Sequence, residues 1–180
     1  MLASLLLLLA SDTPELASCD AVKIGYDKAL SAYPSHDRNL AQAMRFSRAE
    51  SWCGSWTVVT VYRRMRGSGP MWEVSEATGD GRAPVAATTW TTSTVCPAIY
   101  SALEGVERIP VRLAPPYPIR PASPPAKAIP PMNDTTGYRV WTTSYADAGA
   151  QITQVELHAG GGAVAAWVDA TLKSLRPCLA

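Results

Sequence analysis

Two histidines, four cysteines and a run of three glycines carry most of the chemical potential of this chain. His158 precedes Gly160-Gly161-Gly162 in the string LHAGGGA, where a strand should end and a helix begin. A glycine turn that opens a helix can offer N–H groups to an anion, assisted by the helix dipole. His158 would stand beside such a site. The string is neither GxGxxG nor GxxxxGK, so a nucleotide loop is not implied, and a strand-to-helix turn is the plainer role. A small hydrolase or transferase using His158 and Gly160, Gly161 and Gly162 is the enzymatic alternative to a binding role. No residue is assigned a catalytic function.

The other reactive groups are more scattered. His36 lies in the string SHD, between Ser35 and Asp37. Neighbours in sequence do not make a triad, whose roles need a specific arrangement in space, and a helix N-cap explains the polar pair better. The HGGG oxyanion loop of esterases requires a GxSxG nucleophile elbow, which this chain lacks. With two histidines and no spaced carboxylate cluster, neither a metal site nor a cofactor is expected. Arg63, Arg64 and Arg66 crowd one turn beside Gly67-Ser68-Gly69, where they could meet an acidic partner or a phosphate. Trp52, Trp56, Trp72, Trp90 and Trp141 could line an aromatic groove, although sheet faces and core account for most tryptophans.

Cysteine spacing points away from metal and toward the cell exterior. Cys19, Cys53, Cys96 and Cys178 form no CxxC or Cys/His pattern, and their number is even. Three pairings are possible. Cys19 with Cys53, and Cys96 with Cys178, is the preferred one: the first closes the N-terminal segment and the second ties the C-terminus to mid-chain. Residues 1–11 are expected to be a signal segment, because MLASLLLLLA is apolar and too short to span a bilayer. A basic n-region is missing from it, and the small-x-small cleavage pattern is imperfect. Leu16-Ala17-Ser18-Cys19 matches a lipobox, so a lipid-anchored envelope component is a further alternative. Periplasmic or secreted localisation follows from the leader and the cysteines together.

Composition suits one ordered domain over residues 12–180. Hydrophobic residues make up 47% and charged ones 17%, and the net charge of +1 recommends no nucleic acid partner. Membrane association is expected only if Cys19 is lipidated. The partner would be an unknown protein or small ligand of the cell envelope.

Helical spacing marks Asp20 to Leu30, Asp37 to Arg48, the segment opened by Pro97, and the stretch after Gly162 that Pro177 should stop. Period-two runs rich in Val, Thr and Trp mark three strands between Ser55 and Ser93, and two more from Tyr138 to Leu157. Nine prolines between Pro110 and Pro131 should make a stiff polyproline surface loop. That loop carries PxxP matches, Arg112 to Pro118 and Pro115 to Arg120, that would suit an SH3-type groove. The order ααβββαββα argues a two-layer α+β domain, helices packed on one antiparallel sheet of about five strands and held by disulfides. The string WTTS occurs at both Trp90 and Trp141. Trp and Thr are favoured in strands, so sheet composition explains it better than duplication. The function expected is binding, as an inhibitor or accessory factor, rather than catalysis.

Overall fold

The computed structural model describes residues 18–32, 39–51, 53–80, 88–110, 136–144 and 153–179. The apolar leader, His36, Trp52 and the PxxP motifs lie outside them. Nine elements follow in chain order: α1 (Cys19–Ser31), β1 (Leu40–Ala49), β2 (Trp56–Arg64), β3 (Trp72–Gly79), β4 (Thr88–Thr92), α2 (Ala98–Val106), β5 (Gly137–Ser144), β6 (Thr153–Ala159) and α3 (Gly162–Leu179). The strands form one antiparallel sheet in the order β4-β3-β2-β1-β5-β6. Helices on a single antiparallel sheet is the expected α+β class, with six strands rather than five.

The sixth strand corrects the expected second helix. Residues from Asp37 to Arg48 were to place Leu40, Ala43, Met44 and Ser47 on one helical face. Instead Leu40–Ala49 is the central strand β1, paired with β2 on one side and β5 on the other. Two features imitate helical spacing here. A central strand buries residues on both faces, and a register irregularity between Gln42 and Met44 breaks the alternation. The helical assignment would also have left Phe46 on the polar side, whereas it is 1% exposed. Ladder bonds on both edges outweigh the helix preference of Leu, Ala, Gln and Met.

Strand alternation and register divide the sheet into two faces. Met44 and Phe46 of β1, Val59 and Val61 of β2, Val74 of β3 and Val140 of β5 share one face. Against it pack α2 through Ile99 and Ala102, and α3 through Ala165, Val168 and Leu175. Phe46 meets the Trp167 ring edge-on, with centroids 5.2 Å apart. The opposite face carries Trp56 and Val58, covered by Val22, Tyr26, Ala29 and Leu30 of α1. Thus α1 sits across the sheet from α2 and α3. Its start is capped by Ser18, whose hydroxyl oxygen accepts from the Ala21 amide at 3.3 Å.

Trp56 can lie flat under α1 only because Gly79 faces it across the β2–β3 pair. A β-carbon at Gly79 would come within 2.8 Å of the indole Nε1. Backbone and buried ring must then both shift, so Gly79→Ala should destabilise the domain by about 1–3 kcal/mol. Urea titration would show it; an unchanged midpoint would mean that the indole does not occupy this position.

Both WTTS strings are strands of the same sheet, and both run in the same direction. Cross-strand partners place Trp90, Ser75, Thr60, Arg45, Trp141 and Glu156 in one row on the α1 face. After β4 the chain turns into α2, and after β5 it returns as β6. The string repeats and the unit around it does not.

The two disulfides are Cys19–Cys53 and Cys96–Cys178, the pairing expected. A thioether-linked lipid at Cys19 and this bridge exclude each other. Pro177 does not stop α3, which runs to Leu179. Proline in the last turn removes only the donor for the Lys173 carbonyl, at an exposed position. The bridge at Cys178 and the burial of Leu179 hold the end in place. No helix among the described residues is long and apolar enough to cross a membrane.

Candidate functional site

Where α1 crosses the sheet it leaves a cleft of about 560 Å³ toward the ends of β5 and β6. One wall is α1, with Val22, Lys23, Tyr26 and Asp27. The floor is Ala49 and Trp56, and the far wall is Tyr138, Arg139, His158 and Gly160. Ser51 and Gly54, in the turn between β1 and β2, close one end. That turn holds Cys53, so the first disulfide fixes α1 to the mouth of the cleft. The volume lies in the range of small-molecule sites.

The side chains of the cleft are held by neighbours on the same face. Arg139 and His158 are direct cross-strand partners, and Ser47 is the next residue in their row. The Tyr26 hydroxyl lies 2.7 Å from the Ser47 hydroxyl, which pins the end of the phenol ring to the sheet. Tyr26 also meets Trp56 edge-on at 6.0 Å. Over the Tyr26 ring stands the Arg139 guanidinium, 5.8 Å from the centroid. A cation–π contact uses no hydrogen-bond donor, so the guanidinium N–H groups are left for an acceptor. His158 Nε2 lies 2.9 Å from a Glu156 carboxylate oxygen. Lys23 and Asp27 stand one turn apart on α1.

The expected site residues separate into groups. His158 and Gly160 line the cleft. Gly161 is exposed beyond it, and Gly162 begins α3 with a φ of +75°, a conformation that favours glycine. A β-carbon at any of the three would meet nothing within 4 Å, so close packing is not why they are glycines. Arg63, Arg64 and Arg66 lie at the other end of β2, roughly 23 Å along the strand from Trp56. Arg64 is ion-paired with Glu73, while Arg63 and Arg66 are exposed. The tryptophans do not converge either: Trp56 is under α1, Trp72 faces α2 and α3, and Trp90 stacks on Tyr62 at the β4 edge. Arg139 and Tyr26 were not foreseen. Among the described residues, no group of three His, Cys, Asp or Glu side chains could hold a metal ion.

On the opposite face a second hollow of about 760 Å³ lies between α3 and the start of β2. Its charges are largely spent on one another. Arg48 bonds Glu50 at 2.9 Å and faces Asp169 at 3.7 Å, while the Tyr138 hydroxyl donates to Asp169 at 3.0 Å. Glu76 faces Arg176, yet burial outweighs that attraction and holds its carboxyl above the usual carboxylate range. A raised pKa means that the folded state binds this proton more tightly than the unfolded chain. The resulting stability is fully present below the ordinary value of 4.5 and is lost as pH rises through the higher folded value. Glu76→Gln should therefore raise the melting temperature at pH 7, with the gain vanishing under acid conditions. Parallel melts across pH would check it; a less stable variant at pH 7 would show that the Arg176 pairing dominates.

No protein-family model, curated protein or solved structure matches this chain.

Proposed function

We propose that this chain is an extracytoplasmic, non-catalytic binding domain whose ligand enters the cleft between α1 and the ends of β5 and β6. The observation that carries the reading is the arrangement at Tyr26: a ring anchored to the sheet, an arginine over it, and a concave space beside both. Two disulfides in a chain of this size favour an oxidising compartment, and the apolar leader supports a periplasmic or secreted location. Binding as an inhibitor or accessory factor of the envelope is consistent with a domain that offers a preformed cleft.

The test is a thermal-shift screen of sugars, phosphates, carboxylates and lipids against the disulfide-bonded protein, repeated with Asp27→Trp. Asp27 is exposed on α1, so the indole fills the cleft without entering the core. A ligand at a hundred times its Kd stabilises the folded state by about 2.7 kcal/mol, a shift of several degrees. That shift should disappear in Asp27→Trp. If no class shifts the wild type, or if Asp27→Trp responds equally, the cleft is not the ligand site.

A hydrolase or transferase is the second reading, favoured by the Glu156–His158 pair: a carboxylate can orient an imidazole for proton transfer. Against it, no hydroxyl or thiol among the described residues is hydrogen-bonded to His158, so a nucleophile is missing from the pair. His158→Ala should leave ligand binding within a few-fold of wild type. Loss of a turnover activity in that variant would favour the enzyme.

A further inference from the structure

Which ligand the cleft takes follows from Arg139, whose N–H groups are uncommitted among the described residues. Arg45 donates to Thr60, Gln42 and the Ala32 carbonyl, and Arg48 and Arg64 are paired with carboxylates. Arg139 has the Tyr26 ring as its contact, and among the described residues neither hydrogen bond nor ion pair takes its N–H groups. It is exposed, yet its orientation is fixed from below, because the ring it covers is tethered through Ser47. A guanidinium presents two parallel donors, the geometry that carboxylate and phosphate oxygens accept bidentately. Elsewhere in the cleft, Lys23 and Asp27 stand one turn apart along α1, and His158 lies against Glu156. Arg139 is thus a positive point beside the half-buried apolar groups of Tyr26 and Ala49.

We propose, on the reading of the cleft as the ligand site, that it binds a small organic oxyanion. Arg139 receives the carboxylate or phosphate, and the half-buried Tyr26 and Ala49 beside it receive the edge of an apolar body. Each half is insufficient alone. An exposed charge pair in water contributes little, and the apolar wall is too small to hold a neutral ring tightly. The space of about 560 Å³ accommodates a single-ring body with its head group and excludes a long chain.

The experiment is titration of the intact, disulfide-bonded protein with five probes: benzoate, phenyl phosphate, benzamide, acetate and inorganic phosphate. Calorimetry supplies affinities, and 15N-resolved amide shifts supply location. Benzoate or phenyl phosphate should shift the amides of Tyr26, Trp56, Arg139 and His158. Benzamide, with the same shape and no charge, should bind at least about tenfold more weakly, as should acetate and phosphate. Arg139→Gln should cost the same factor, and Arg139→Lys should restore part of it through charge without the bidentate geometry. The unfolding midpoint of Arg139→Gln should stay at the wild-type value, because the residue is exposed. Preference between benzoate and phenyl phosphate separates a carboxylate ligand from a phosphate one. Benzamide binding as tightly as benzoate, or Arg139→Gln binding as tightly as wild type, would overturn the oxyanion while leaving the cleft a ligand site. Failure of every probe to move a cleft amide overturns both.

Discussion

Phe46→Ala is expected to cost about 3–5 kcal/mol, a large part of the roughly 5–15 kcal/mol that holds a domain of this kind together. The ring is 1% exposed and lies on the face of β1 that α3 covers. Its cross-strand neighbours are Val59 of β2 and Val140 of β5, and the Trp167 ring closes over it at 5.2 Å. Truncation opens a cavity among groups already pinned by ladder bonds on both sides of the central strand, so little collapse can refill it. Had residues 37–48 formed a helix with Phe46 turned outward, the same substitution would cost under about 0.5 kcal/mol. Chemical denaturation therefore separates the two assignments by several kcal/mol. A midpoint near wild type would mean that β1 is misplaced, and with it the register of both halves of the sheet.

The second large effect is a difference between the two disulfides. In the chain-entropy model a bridge across 34 residues contributes about 3.8 kcal/mol, and one across 82 residues about 4.5 kcal/mol. Accessibility separates them further. Cys19 and Cys53 are both exposed, whereas Cys96 is fully buried against α3 and Cys178 is half-buried. A thiolate must reach a disulfide sulfur to open it, so a dithiol reductant should open Cys19–Cys53 well before Cys96–Cys178. Opening the first bridge frees the N-terminal end of α1, leaving it held by Val22, Tyr26, Ala29 and Leu30 on the sheet. The cleft should then widen or vanish while the α2–α3 core stays folded. Alkylation after graded dithiothreitol, followed by peptide mapping, should label residues 19 and 53 first, accompanied by a lower first melting transition. Simultaneous labelling of all four cysteines would show that the domain opens as one unit.

What the chain reveals in advance depends on how local each cause is. The α1 stripe of Val22, Tyr26, Ala29 and Leu30 is readable because a helix packing on one surface shows its period directly. Strands β2 to β4 are readable because β-branched and aromatic residues crowd between turns rich in glycine. Pairing of the cysteines was open to argument from spacing alone, and the chosen pairing is the one found. By contrast, β1 hides itself because it is central: burial on both faces erases the alternation that identifies an edge or surface strand.

The cleft was half visible. His158 and Gly160 stand out by residue type, and both line it. Arg139 does not, since one arginine in a strand looks like ordinary polar alternation. Its significance arises from α1 packing over β2 and β3, which leaves Tyr26 beside a residue of β5 more than a hundred positions away. A pointer did exist, because a Cys19–Cys53 bridge already requires α1 to begin beside the start of β2. From there, the Tyr26 edge of the helix must look toward whichever strand lies beyond β1. Identifying that strand as β5 needed the correct assignment of β1, and one misread element thus concealed the site.

The direct test of the account is the map of amide shifts when a ligand identified by the stability screen is titrated into the oxidised protein. Shifts concentrated at Val22 to Asp27, Gly54 to Trp56, Tyr138 to Arg139 and His158 to Gly160 are the predicted result. Shifts centred instead on Glu76 and Arg176 behind the sheet, or on Arg63 and Arg66 at the far end of β2, would contradict it.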